Sequence, residues 1–131
     1  MTNLLVVEDH PIFAAALVRL LKLEEDLNVL MVVDTAEEAL RVIPDLLLDL
    51  VLIDVSLPKM NGIELVAQLN KLYPSLPCLM VSGHLSNSYM MRCLAAGARG
   101  YALKDSSKDI IEGIYQVMRG DIYISNELLT K

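Results

Sequence analysis

Short apolar runs and segments of helical period alternate five times along the chain. The runs are Leu4 to Val7, Val29 to Val33, Leu50 to Ile53, Cys78 to Val81 and Tyr101 to Leu103. They are continuous rather than alternating, which predicts strands of a sheet covered on both faces. Phe13, Ala16, Leu17, Leu20 and Leu21 recur at helical spacing and predict a first helix. Pro11 suits its first turn, with Asp9 or His10 at the cap. Thr35 and Glu38 have the spacing of a capping box and open a second helix, which Pro44 bends or ends. Pro58 and Asn61-Gly62 make a turn before a third helix that carries Ile63, Leu65, Val66, Leu69 and Leu72. Pro74 and Pro77 punctuate the next loop. Ser86 to Ala96 predicts a fourth helix, with Gly97 as its C-terminal cap. Ser106 with Asp109 opens a fifth, which runs to about Arg119 and stops at Gly120. The alternation predicts an α/β fold: a doubly wound, five-stranded parallel sheet with right-handed crossovers and helices on both faces.

In such a sheet the site lies outside the carboxyl ends of the strands. Four runs end there in polar residues: Glu8-Asp9, Asp54, Ser82 and Lys104. That edge therefore gathers three carboxylates, a hydroxyl and an ammonium. The carboxylates repel one another, so at least one pKa should rise. A hard cation relieves the repulsion, and a small set of oxygen ligands favours Mg²⁺. Asp54 is then placed as a nucleophile toward phosphorus. Mg²⁺ and Lys104 offset the charge on the transferred oxygens, and Ser82 donates a hydrogen bond to one of them. Taken singly, each residue has an ordinary reading as a helix cap, a turn or a surface charge. Their joint placement at four strand ends favours the functional one.

At 131 residues and 54% apolar content the chain is one domain with ample core. No apolar run approaches the roughly 18 residues of a membrane span. The Met1-Thr2-Asn3 start lacks the basic region of a signal peptide, which reads as a cytoplasmic protein. The net charge of −6 and the scattered basic residues argue against nucleic-acid binding by this domain alone. Cys78 and Cys93 have neither zinc nor redox spacing and read as reduced packing residues. There is no Walker-type phosphate loop, His-Glu-x-x-His motif or internal repeat.

The segments Leu5-Val6-Val7-Glu8-Asp9-His10-Pro11 and Val51-Leu52-Ile53-Asp54-Val55-Ser56-Leu57-Pro58-Lys59-Met60-Asn61-Gly62 resemble those of a response regulator receiver domain of two-component signalling. Val81-Ser82-Gly83 and Ala96-Gly97-Ala98-Arg99-Gly100-Tyr101-Ala102-Leu103-Lys104-Asp105 extend the match. The likeness is to the NarL/FixJ class, with its LuxR-type helix-turn-helix effector, and runs from Leu4 to about Ser125. It implies strand order 2-1-3-4-5 and a phosphoryl group passed from a sensor histidine kinase to Asp54. It implies Mg²⁺ on Glu8, Asp9, Asp54 and the main-chain carbonyl of Ser56. Ser82 and Lys104 fall at the switch hydroxyl and phosphate-binding lysine, and Tyr101 at the switch aromatic. A cis peptide at Lys104–Asp105 is a further implication. So are roles for Ser56 and His84 in setting how fast water removes the phosphoryl group. Such a domain phosphorylates and dephosphorylates itself but turns over no small molecule.

The chain departs from that pattern at Leu48, where the class usually has proline. Residues 1–120 read as the receiver, and 121–131 as the start of a linker toward a DNA-binding domain absent from this chain. His10 reads as a cap or loop residue rather than a ligand. Ile111, Tyr115 and Met118 widen the apolar arc of the fifth helix beyond Ile110, Ile114 and Val117. With Tyr89, Met90, Met91, Cys93 and Leu94 on the fourth, they suggest either a partner or phosphorylation-dependent dimer surface around the fourth and fifth helices, or the first and fifth, or else a wide core face. Other readings are a degenerate receiver that only binds partners, a flavodoxin-like cofactor binder and a phosphatase of the haloacid-dehalogenase kind. The last needs a second acid two residues after Asp54, where Ser56 stands.

Overall fold

In the computed structural model, residues 1–129 are described; Thr130 and Lys131, the end of the expected linker, lie outside them. The strands are β1 (Thr2–Val7), β2 (Leu27–Val33), β3 (Leu50–Asp54), β4 (Cys78–Ser82), β5 (Gly100–Leu103) and β6 (Tyr123–Ile124). The helices are α1 (Pro11–Lys22), α2 (Ala36–Val42), α3 (Gly62–Leu72), α4 (Asn87–Ala95), α5 (Ser107–Met118) and the short α6 (Asn126–Leu129). All strand pairings are parallel, in the order β2-β1-β3-β4-β5-β6. The sheet has six strands rather than the five expected, within the same fold class. β6 adds to the outer edge of β5, with Tyr101 paired to Ile124.

Alternate residues of each central strand feed two cores. Leu4, Val6, Leu50, Leu52, Leu79 and Val81 pack with Leu17 and Leu21 of α1 and with Ile110, Ile114 and Val117 of α5. Leu5, Val7, Val51, Ile53, Met80 and Tyr101 pack on the opposite face with residues of α2, α3 and α4. This two-sided burial is why these strands carry no polar alternation. Ile111 and Tyr115 lie against the first core, so most of the wide apolar arc of α5 is core face. Met118 and Met91 stay exposed. Both cysteines are free and buried.

Helix ends follow local chemistry, though the capping box expected at the second helix closes on one side only. Thr35 Oγ1 accepts from Glu38 N–H at 3.0 Å, but the Glu38 carboxylate turns to Arg41 instead of closing the box. The reciprocal box forms at Asn61 and Glu64, through bonds of 2.9 and 3.1 Å. α2 ends at Val42, and Pro44 sits in a single 3-10 turn, Ile43–Asp45. Gly97 (φ +114°) provides the left-handed residue that ends α4. No peptide bond among the described residues is cis, so the one expected at Lys104–Asp105 is trans. The turn there closes through Ser106 N–H to the Leu103 carbonyl at 3.2 Å, without the roughly 3 kcal/mol that a cis bond costs.

Candidate functional site

The carboxyl ends of β1, β3, β4 and β5 bring the expected residues to one edge. Asp54 is the last residue of β3, Ser82 the last of β4, and Glu8 and Lys104 directly follow β1 and β5. Lys104 Nζ lies 2.9 Å from Glu8 Oε1 and 3.3 Å from Asp54 Oδ2. The carboxylates it bridges are almost fully buried, with side chains about 2% exposed, while the lysine is 18% exposed at the rim. Its ammonium also stands 4.6 Å from the centre of the Phe13 ring, a cation–π contact from α1 that the sequence reading missed.

Asp54 is held by its own loop. Its Oδ1 accepts the Ser56 main-chain N–H at 3.0 Å. Gly62 N–H donates to the Val55 carbonyl at 2.9 Å, drawing the start of α3 against the end of β3. A Cβ at Gly62 would stand 2.3 Å from the Asp54 carbonyl oxygen, so only glycine permits this approach.

Burial raises the Asp54 pKa above its ordinary value. The Ser56 N–H opposes this, the Glu8 charge adds to it, and Lys104 opposes it. Glu8 shifts the other way: burial resists its ionisation, but hydrogen bonds from Lys104 and His10 outweigh that and hold it below the usual value. The repulsion expected of the acidic set therefore falls on Asp54.

Asp9 is half-buried, and its Oδ1 is inaccessible to solvent with no hydrogen-bond partner. His10 occupies the N-cap position of α1, but its side chain does not cap. Its ring turns to the acids, with Nδ1 2.8 Å from Glu8 Oε2, 3.3 Å from Asp9 Oδ1 and 3.7 Å from Asp54 Oδ2. The Glu8 contact raises the His10 pKa. One ligand atom from each of Glu8, Asp9, His10 and Asp54 falls within 4.8 Å of all the others. Converging carboxylates with an unsatisfied buried oxygen fit a divalent cation.

Ser82 and Tyr101 meet through a third residue. The Ser82 hydroxyl accepts His84 N–H at 3.0 Å, and the Tyr101 hydroxyl donates to the His84 carbonyl at 2.8 Å. The Tyr101 ring is wholly buried, and burial raises its pKa. His84 Nε2 lies 3.5 Å from Ser56 Oγ, and its ring packs 4.9 Å from that of Tyr89. His84 thus joins the strand-end hydroxyl to the buried aromatic by its main chain, a role no side-chain pattern could reveal.

The family model for the response regulator receiver domain matches residues 4–115. The chain belongs to that family. It is a signalling rather than a metabolic domain. It is 32% identical over 123 residues to the transcriptional regulatory protein DegU of Brevibacillus brevis, a match covering 93% of this chain and 52% of that protein. It is 32% identical over 132 residues to the transcriptional regulatory protein UhpA of Escherichia coli, covering 100% of this chain and 66% of that protein. The receiver thus spans half to two thirds of these relatives. A LuxR-family response regulator from Aurantimonas superposes with a TM-score of 0.95 at 25% identity, covering 99% of this chain and 94% of that one. The signal receiver domain of a response regulator NarL from Mycobacterium tuberculosis superposes at 0.85 with 30% identity, covering 91% and 97%. No helix among the described residues is long and apolar enough to cross a membrane.

Proposed function

We propose that Asp54 is the phosphoacceptor of this receiver and that a sensor histidine kinase supplies the phosphoryl group. One Asp54 carboxylate oxygen forms a bond to phosphorus as the donor's phosphorus–nitrogen bond breaks. The observation that carries this reading is the Lys104 ammonium 3.3 Å from Asp54 Oδ2, at a carboxylate whose Oδ1 is fixed by the Ser56 N–H. One oxygen is anchored while the other faces a positive charge suited to phosphoryl oxygens. Glu8, Asp9, Asp54 and the Ser56 main-chain carbonyl would hold Mg²⁺, which when bound supplies further charge against those oxygens. The orphaned Asp9 Oδ1 supports that assignment.

Ser82 is the hydroxyl that follows the phosphoryl group, and Tyr101 reads the change through their shared contacts with His84. The phosphorylated state favours a homodimer and, through a helix-turn-helix domain beyond residues 121–131, controls transcription. DNA contact belongs to that domain and not to this acidic one. The domain acts in the cytoplasm, catalyses only its own phosphorylation and dephosphorylation, and turns over no small molecule.

Intact mass after incubation with acetyl phosphate and Mg²⁺ tests the reading. A gain of about 80 Da, the mass of one phosphoryl group, is expected on this chain and not on Asp54→Asn or without Mg²⁺. A chain that gains no mass, and whose NMR spectrum beryllofluoride leaves unchanged, refutes it.

A further inference from the structure

The Lys104 ammonium faces Asp54 only as long as the end of β5 keeps its place. Resting on the phosphoryl reading, we propose that Asp109 is a positioning residue for the transfer. It holds the strand end that bears Lys104, and Tyr123 of β6 holds it in turn.

The hold begins at the main chain. Lys104 N–H donates to the Ser82 carbonyl at 2.8 Å, which ties that residue to β4. On the outer edge of β5, the Arg99 and Tyr101 carbonyls accept Tyr123 and Ser125 N–H, each at 3.0 Å. Leu103 N–H is a donor on the same edge, two residues further on. β6 stops short of it: the chain turns into α6 at Asn126, and the Ser125 carbonyl is taken by Leu128 N–H at 3.0 Å. A buried N–H needs a partner. Asp109 Oδ2 takes the place of the missing strand and accepts Leu103 N–H at 2.7 Å. The backbone leading into Lys104 is thus gripped from both edges, by β4 on one side and Asp109 on the other.

Asp109 is itself immobilised. Its N–H donates to Ser106 Oγ at 3.1 Å, its other oxygen accepts the Tyr123 phenol, and the residue is buried. Hydrogen bonds to a carboxylate are stronger than those between neutral groups. Burial and the adjacent carboxylate raise the Tyr123 pKa, so the phenol keeps its proton and donates. The ring fits this place closely. A Cβ at Gly113 of α5 would stand 3.1 Å from Tyr123 Cδ2 and 3.2 Å from the Leu79 side chain, so a larger residue there would press on the ring. β6 therefore reaches Lys104 through phenol, carboxylate and Leu103, using neither the Ser82 hydroxyl nor the Tyr101 ring.

The test follows the lysine and the reaction separately. The Phe13 ring, 4.6 Å from the ammonium, shifts the Lys104 ε-methylene protons upfield, and NMR of the metal-free chain measures that shift without phosphorylation. Intact mass against time with acetyl phosphate and Mg²⁺ gives the rate. Asp109→Ala is expected to lose most of the shift and to slow the mass gain about tenfold, because a misplaced group at the reacting atoms is costly. Asp109→Asn should keep most of both, since its amide oxygen can accept Leu103 N–H and its amide N–H can donate to the phenol oxygen. Tyr123→Phe should lose part of the shift and slow the reaction about threefold. Val117→Ala, which weakens the far end of α5, should match the parent in both and so separates position from stability. A shift unchanged in Asp109→Ala and Tyr123→Phe overturns the hold. A lost shift with an unchanged rate, or equal slowing in Val117→Ala, overturns the positioning role and leaves Asp54 as acceptor. If Asp109→Ala does not fold, Tyr123→Phe decides by the same two measurements. A parent chain that gains no mass overturns the phosphoryl reading and this proposal with it.

Discussion

Lys104→Met removes the ammonium that faces Glu8 and Asp54 while keeping a side chain of similar length. Two nearly buried carboxylates then stand against each other, each having lost a contact of 2.9 or 3.3 Å. Breaking a buried pair costs about 3–5 kcal/mol because a charge is left uncompensated. The ammonium sits at the rim, and His10 stays beside Glu8, so the lower end applies: about 3 kcal/mol in metal-free buffer near pH 7. The cost depends on pH. The lowered Glu8 pKa gives stability that is present above its ordinary value and lost as pH falls through the folded one. The raised Asp54 pKa works oppositely: its ionised form costs stability at neutral pH, and that cost fades as pH falls through its folded value. Lys104 favours the ionised form of both, so the deficit of the variant is largest at neutral pH and closes once both acids are protonated. Saturating Mg²⁺ should restore more stability to the variant than to the parent, because lysine no longer competes for the ligands. Urea unfolding at pH 7 and at pH 3, with EDTA and with Mg²⁺, measures each quantity. A variant within about 0.5 kcal/mol of the parent at pH 7, or a deficit unchanged at pH 3, refutes the argument.

Gly62→Ala sets a methyl against the Asp54 carbonyl oxygen and the Val55 Cα, at 2.3 and 2.9 Å, both backbone atoms that cannot swing aside. It should lose about 2 kcal/mol in urea unfolding and slow the mass gain from acetyl phosphate by moving the acceptor; an unaltered rate would show that the close approach is dispensable to the site. Tyr123→Phe takes the phenol from Asp109 Oδ1, whose other oxygen holds Leu103 N–H at 2.7 Å. Loss of that charged hydrogen bond should cost about 2 kcal/mol and speed amide exchange at Ser125, whose N–H donates to the Tyr101 carbonyl at 3.0 Å; unaltered exchange would mean that β6 is held by other contacts.

Strand ends were legible in the sequence because each apolar run breaks abruptly at a residue of defined chemistry. Glu8, Asp54, Ser82 and Lys104 needed only parallel pairing to meet. β6 was not legible, since two residues have no period to read, and Gly120-Asp121 marks a stop with no sign of where the chain goes next. Its placement depends on tertiary partners: the Arg99 and Tyr101 carbonyls on one side and Asp109 on the other. The cis bond came from resemblance alone, and no residue near Asp105 required it. Side-chain direction was the other blind point. Asp109 and Glu38 carry the capping spacing equally well, yet both carboxylates turn to other donors, the Leu103 N–H and the Arg41 guanidinium. His10 belongs with them, because its position as a cap was readable and its ring was not. The ring turns inward because a buried Glu8 carboxylate has two oxygens to satisfy: Lys104 takes one and His10 takes the other, through both its N–H and its imidazole. The residue just after the acidic pair is therefore bound into the same charge network as Asp54, and a change at either alters the field at the other.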